Sequence, residues 1–397
     1  MSSTIEILDL VARWIHVIAG IMWIGNSLLF NWLDRSLVPA NSPGQTKKPI
    51  GSIWLLHSGG FYYVEKTLLD GEKLPVPLHW FKWQAYTTWI SGALLLIIVY
   101  YASGRSTLAD PAIANLSHGK AVAIGVTSII LGRMIYDIMQ RASERAPFVA
   151  TVIWIVALTT ISIALTQLLS GRAAFLHVGA MLGTIMVANV SSTIVPSQHA
   201  LVKSVTEGGR GDPALSDKAK RVSIHNNYFT FPVIALMVSN HFSSIYASRY
   251  SWLLLLVIVA GGVAVRHVLN LRWTFVAWKP ALAGAIGATV IAMWVILNIG
   301  STPSSAAGAA VTGPVSFEDA RHILDRRCAV CHSSRPTDTT FGPAPGGVAF
   351  DTRSQIEAKA DRIRERAFVT RTMPPANTSG ITDGERAMLG AWAESLR

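Results

Sequence analysis

Two cysteines occur in the 397 residues, and both lie in one pentapeptide, Cys328-Ala329-Val330-Cys331-His332. Thiols at that spacing on a single helical turn add across the two vinyl groups of a haem, and the imidazole that follows meets the iron from one face. No further cysteine exists for a disulfide, and C-x-x-C with one histidine supplies too few ligands for a structural zinc site. The spacing therefore points to one covalent c-type haem, against a thioredoxin-like dithiol or a chance spacing. For the second axial position the candidate is Met373, in Thr372-Met373-Pro374-Pro375. The separation from His332, 373 − 332 = 41 residues, leaves room for a loop and a helix to return to the opposite haem face. The prolines stiffen that segment. Ligation of the metal by His332 and Met373 raises the reduction potential and suits the acceptance of electrons. The other reading makes Met373 an ordinary core side chain.

A second set of candidates lies in strongly apolar surroundings. His16 and His177 stand near the starts of two apolar runs and have similar neighbours: His16-Val17 with Gly20, Gly25 and Asn26, and His177-Val178 with Gly179, Gly183 and Asn189. The echo suggests two related halves. Imidazoles at matched depth on facing helices can hold a b-type haem between them; equally, they can hydrogen-bond helix to helix. Arg133 and Asp137, four apart, are accompanied by Gln198-His199 and His225-Asn226-Asn227-Tyr228. Together these offer a cation, amides and titratable bases to a planar anionic substrate, or Arg133 and Asp137 form a plain salt bridge on one helix face.

These residues need a membrane-borne frame to position them. The chain is 51% hydrophobic and only 14% charged, which is too apolar for a soluble protein of this length. Apolar runs lie near residues 10–32, 86–102, 119–139, 147–169, 174–195, 228–246, 251–269 and 280–299. Each approaches the roughly 20 residues needed to cross a bilayer, so an all-α fold with about eight transmembrane helices is expected. The first run has no small-residue cleavage site and reads as an uncleaved span.

The formal charge of +11 is spread through loops rather than gathered on one polar domain, which argues against nucleic acid as a partner. Haem attachment takes place outside a bacterial inner membrane, so the C-terminal part is expected in the periplasm, with both ends of an eight-span body outside. Loops then assigned to the inside carry Arg35, Lys47, Lys48, Lys66, Lys73, Lys82, Arg141, Arg145, Lys203, Arg210, Lys218, Lys220, Arg221, Arg272 and Lys279. The outside loops carry Arg105, Lys120, Arg172 and Arg249, the asymmetry the positive-inside rule requires. Two inside loops, residues 31–85 and 196–227, are long enough to build a cytoplasmic mouth. The aromatics of the first, Trp54, Phe61, Trp80 and Trp83 among them, read mainly as interfacial anchors.

The expected organisation is a membrane domain over 1–299, a Ser/Ala/Gly/Pro-rich tether over 300–314 and a small helical cytochrome c domain over 315–397. Ser316-x-x-Asp319 and Thr382-x-x-Glu385 predict helix starts, the first helix running into the cysteine motif and the second to about Leu396.

Arg13-Trp14-Ile15-His16 through Trp23-Ile24-Gly25-Asn26, Leu78-His79-Trp80-Phe81-Lys82-Trp83 with Tyr86-Thr87-Thr88-Trp89, and the span from His177 to Asn189, all upstream of C-x-x-C-H, resemble the bacterial membrane-bound urate oxidase (urate hydroxylase) family. Gln84 stands where relatives are expected to be acidic, so position 84 is given no proton-transfer role. The resemblance implies oxidation of urate to 5-hydroxyisourate with oxygen from water, and electrons passed to the fused haem and on to a periplasmic acceptor or respiratory chain. Urate oxidation releases two electrons, whereas one haem takes one at a time, so a second redox centre or sequential transfers are required. General-base candidates for that chemistry are His79, His199 and His225, with Lys82 or Arg133 countering the urate charge. Competing expectations are a quinol-oxidising or other respiratory dehydrogenase, and a transporter or anchor with an attached electron carrier.

Overall fold

The computed structural model describes residues 3–39, 50–67, 69, 73–102, 107–111, 113–209, 212–300, 313–338 and 345–396. Lys47, Lys48, Arg105 and Arg210 of the charge pattern, and residues 301–312 of the expected tether, lie outside them. The N-terminal helices are α1 (Ser3–Ser36), α2 (Lys82–Leu96, continuing as a wider turn to Tyr101), α3 (His118–Ala142) and α4 (Pro147–Leu168). There follow α5 (Gly171–Asn189), α6 (Val195–Thr206), α7 (Pro213–Val238), the short α8 (Ser243–Tyr246), α9 (Ser251–Leu271) and α10 (Trp278–Gly300). Among the described residues seven helical segments are long and apolar enough to cross a membrane. They coincide with the expected spans except for the sixth.

That sixth span, expected over 228–246, is not one helix. α7 stops at Val238, a single turn follows to His241, and Phe242, at φ −118° and ψ 88°, breaks the chain before α8. The N-terminal half of α7 is polar, which keeps α7 outside the apolar set.

Two other expectations are corrected. The fold is not wholly helical: Gly51–His57 (β1) and Gly60–Lys66 (β2) form an antiparallel hairpin inside the first long loop, with His57 opposite Gly60 and Trp54 opposite Tyr63. Ser58 and Gly59 both take positive φ, 49° and 76°, which gives the two-residue turn whose twist matches the strands. Lys66 reaches back to Asp34 at 2.6 Å, tying the hairpin to the end of α1. The second long loop is mostly helix, because α5 runs on into α6 as one apolar segment, Gly171–Thr206. Pro196 does not end it. The Val195 N–H instead bonds the Val190 carbonyl five residues back, and this wide turn absorbs the proline.

α5 is the axis of the body. Phe175, His177, Val178, Met181, Leu182 and Ile185 are fully buried on it, packed by α2, α3, α4 and α7. Glycines let α3 approach closely: a Cβ at Gly125 would strike the His177 ring, and one at Gly132 would strike the Met181 thioether.

Residues 313–396 carry a separate apolar core, with Leu324, Ile356, Leu389 and Trp392 at its centre. It is built by α11 (Phe317–Arg327), α12 (Arg353–Glu357), α13 (Ala360–Ile363) and α14 (Asp383–Glu394). Both expected helix starts are present as reciprocal caps, Ser316 with Asp319 and Thr382 with Glu385, and a third joins Thr352 to Gln355.

Candidate functional site

Arg133 sits on the α3 face that meets the wide turn after α5. Its guanidinium holds Asp137 one turn on, with Nε–Oδ2 at 2.8 Å, and donates to Asn189 Oδ1 at 3.1 Å and Ser192 Oγ at 3.4 Å. The Arg133–Asp137 pair is therefore present, but it is also the edge of a larger array. Asn189 donates to Tyr136 Oη and to Asn226 Oδ1, both at 2.9 Å, and Asn226 donates to the Met186 carbonyl at 2.9 Å. Gln140 donates to Tyr136 Oη at 2.7 Å, and Tyr136 Oη lies 3.0 Å from His225 Nδ1.

The hydrogens follow from this arrangement. Tyr136 oxygen already accepts twice, so its own hydrogen is directed to His225 Nδ1, and the ring proton of His225 resides on Nε2. Two of the five catalytic candidates, Arg133 and His225, thus belong to one polar network joining α3, α5 and α7.

The other three do not join that network through any hydrogen bond among the described residues. His199 on α6 stacks on Trp80 with centroids 4.5 Å apart, and Lys82 Nζ lies 5.4 Å from the centre of the Trp80 ring. His79 packs edge-on against Phe81 at 4.7 Å, and Phe81 in turn meets Phe30. The wide turn between α5 and α6 links the groups: Val190 and Val195 pack with Ala85 and Tyr86 of α2, while Asn189 and Ser192 face Arg133. Gln84 accepts from Asn26 Nδ2 at 2.6 Å, so both motif residues are used to join α1 to α2.

His16 and His177 take different partners. His16 Nδ1 lies 2.9 Å from the Thr88 carbonyl and 3.2 Å from Ser91 Oγ, against Gly92 of α2. His177 is bonded at both nitrogens, Nδ1 to the Ala173 carbonyl at 2.7 Å and Nε2 to Tyr101 Oη at 2.8 Å. With both His177 nitrogens engaged by the protein, this placement fits interhelical bonding and does not fit paired ligation of a b haem.

Around the cysteine motif the donors do fit a c haem. Cys328 caps α11, and the N–H groups of Cys331 and His332 turn back to its carbonyl at 3.1 and 2.8 Å, so the three side chains share one turn. The two thiols are not joined in a disulfide. Burial pushes the Cys328 thiol up to about 12, which keeps it neutral in the unattached chain. His332 Nδ1 donates to the Val348 carbonyl at 3.0 Å, fixing the ring and reserving Nε2 for a metal. Arg327, next to Cys328, binds Glu385 through Nε and Nη2 at 3.2 Å, locking α11 to α14. Burial disfavours the Glu385 charge, yet the Thr382 N–H and Arg327 outweigh it and hold the carboxyl below its usual range. Met373 lies on a segment stapled from α14: buried Arg386 donates to the Ala367 carbonyl and, at 2.8 Å, to that of Met373.

Several members of these arrays are not evident from spacing. Tyr136 and Gln140 share the Arg133 face of α3 at intervals of three and four, a periodicity that marks a common face but no role. Arg266 is a charge inside the apolar helix α9, which marks it by itself.

The urate oxidase N-terminal family model matches residues 2–297. The chain belongs to that family. Membership makes it a urate-related oxidoreductase with urate as its small-molecule substrate. The match spans every helix from α1 to α10 apart from the last three residues, and so contains the Arg133–His225 network entire. No curated protein and no solved structure matches the chain.

Proposed function

We propose that the chain is an integral protein of a bacterial inner membrane that oxidises urate to 5-hydroxyisourate at the cytoplasmic mouth and hands the electrons to a periplasmic cytochrome c domain over residues 315–397. The carrying observation is the conjunction of the family match over 2–297 with a C-x-x-C-H turn whose histidine keeps Nε2 available. Seven long apolar helices are compatible with a multi-pass membrane protein, and with the 26-residue α7 taken as an eighth crossing the charge asymmetry of the loops supports the orientation.

The balanced reaction takes urate and water to 5-hydroxyisourate, two protons and two electrons. The protons are the task of the α3–α5–α7 network. His225, whose Nδ1 faces the Tyr136 hydroxyl at 3.0 Å, is the group of that network able to take a proton, its imidazole becoming cationic. Gln140 and Asn189 hold the phenol in place by donating to its oxygen. Cys328 and Cys331 would carry a haem, with His332 and Met373 as its ligands, and it would supply a one-electron acceptor. Its single-electron capacity requires two transfers per urate and an onward periplasmic acceptor.

An apolar groove of about 590 Å³ between α7, α9 and α10, lined by Phe231, Val238, Gly262 and Met293 among others, favours a second reading in which a quinol is the reductant. Mixing oxidised full-length protein with urate or with quinol under argon separates the two. Urate is expected to reduce the haem. Reduction by quinol alone rejects the urate assignment, and reduction by neither rejects electron transfer through the fused domain.

A further inference from the structure

Arg266 is 5% exposed on α9, yet no carboxylate pairs with it among the described residues. Its Nε donates to Asn227 Oδ1 at 2.8 Å, an oxygen that also accepts from Asn270 Nδ2 at 2.9 Å. Its Nη2 is shut off from water with no hydrogen-bond partner. The guanidinium lies 5.5 Å from the centre of the Phe231 ring. Two further guanidinium groups, those of Arg272 and Arg35, supply no counter-charge at this end of the bundle. Both of these lie against Trp273, at 3.9 and 5.6 Å from its ring centre.

A buried cation without a counter-ion and with an unmet N–H is costly, and an anion of matching shape removes both costs. Arg133, by contrast, already has its counter-ion in Asp137. Asn226 serves the Arg133 network and its neighbour Asn227 serves Arg266, so a single turn of α7 joins the two. We propose that Arg266, seated on Asn227, is the anion-binding residue of the inner mouth and takes the urate anion. This rests on the urate chemistry proposed above. Urate is planar and carries oxygens along its edge, which suits a guanidinium fork beside carboxamides, with an aromatic ring in reach of the same group.

The test uses haem-loaded, full-length protein in detergent. The concentration of urate that half-saturates haem reduction is measured under argon for the wild type, Arg266→Gln, Arg266→Lys and Asn227→Asp, together with lipid phosphorus bound per haem. Arg266→Gln is expected to raise half-saturation at least about tenfold, with Arg266→Lys recovering part of the loss because it keeps the charge but not the fork. Asn227→Asp supplies an internal carboxylate to Arg266 and is expected to compete with urate to a similar degree. It decides the matter if Arg266→Gln does not fold. An unchanged half-saturation in a folded Arg266→Gln or in Asn227→Asp overturns the inference while leaving the urate reading intact. A fall in bound phosphorus in Arg266→Gln, with urate response unaltered, assigns the site to a lipid phosphate and also overturns it. Wild-type protein whose haem does not respond to urate removes the urate reading itself.

Discussion

The phenol of Tyr136 and the imidazole of His225 share a single hydrogen bond, and the direction of that bond is dictated by Gln140 and Asn189, which both donate to the phenol oxygen. Replacing His225 by Ala removes the terminal proton acceptor, so urate-dependent haem reduction is expected to slow by at least about 100-fold. Tyr136→Phe leaves the imidazole but removes the hydroxyl that orients it, and a loss of about tenfold or more is expected. Stopped-flow absorbance at constant haem content measures both, and an unchanged rate in His225→Ala removes the network from the chemistry. At this scale the sequence was unevenly legible. Arg133 and Asp137 were visible because their spacing on a helix is diagnostic. Tyr136 and Gln140 were not, because a tyrosine or glutamine in an apolar helix acquires a role only when α5 and α7 bring Asn189 and His225 against it. Arg266 differs: a lone charge among leucines and valines marks itself, but no partner at helical spacing tells what it serves.

Elements were legible where hydrophobicity decided them and illegible where backbone chemistry did. The apolar runs, the caps at Ser316 and Thr382 and the helix entering the cysteine motif follow from side-chain character alone. The hairpin did not, since Ile53-Trp54-Leu55-Leu56 lacks the alternation that marks a half-buried strand, and only Ser58-Gly59-Gly60 signalled the turn. The apolar run ends at residue 195, yet the wide turn before Pro196 lets α5 and α6 run together. Close packing of α3 on α5 depends on Gly125, where a Cβ would strike the His177 ring. Gly125→Ala is therefore expected to cost about 1–3 kcal/mol, read as a lowered melting temperature in detergent. A melting temperature equal to that of the wild type would show that the His177 ring yields without cost. In the C-terminal unit the corresponding element is α14, whose Arg386 grips the carbonyls either side of the Met373 segment. Arg386→Leu is expected to loosen the methionine, measured as loss of the long-wavelength sulfur-to-iron absorption band in the ferric protein and gain of carbon monoxide binding in the ferrous form. Retention of the band would show that the prolines alone hold Met373.

At the scale of the whole molecule, the core around α5 is separate from the core around Leu324 and Trp392, and the chemistry divides along the same line. The groups suited to substrate and protons, Arg133, Tyr136, His225 and Arg266, all belong to the family-matched part. The groups suited to a haem all lie beyond it. Composition changes sharply after residue 300, whereas nothing in composition places a substrate among helices. The division makes the fusion testable without disturbing the membrane part. In Cys328→Ala/Cys331→Ala protein, urate is expected to bind with unchanged affinity, because neither thiol lies among the helices that hold the substrate candidates. No turnover is expected, because the two electrons per urate have no acceptor on the chain. Equilibrium dialysis of urate and assay of 5-hydroxyisourate formation read the two halves independently. Continued product formation by the double variant would mean that electrons leave the membrane part by another route, and the C-terminal unit would then be a passenger in the reaction.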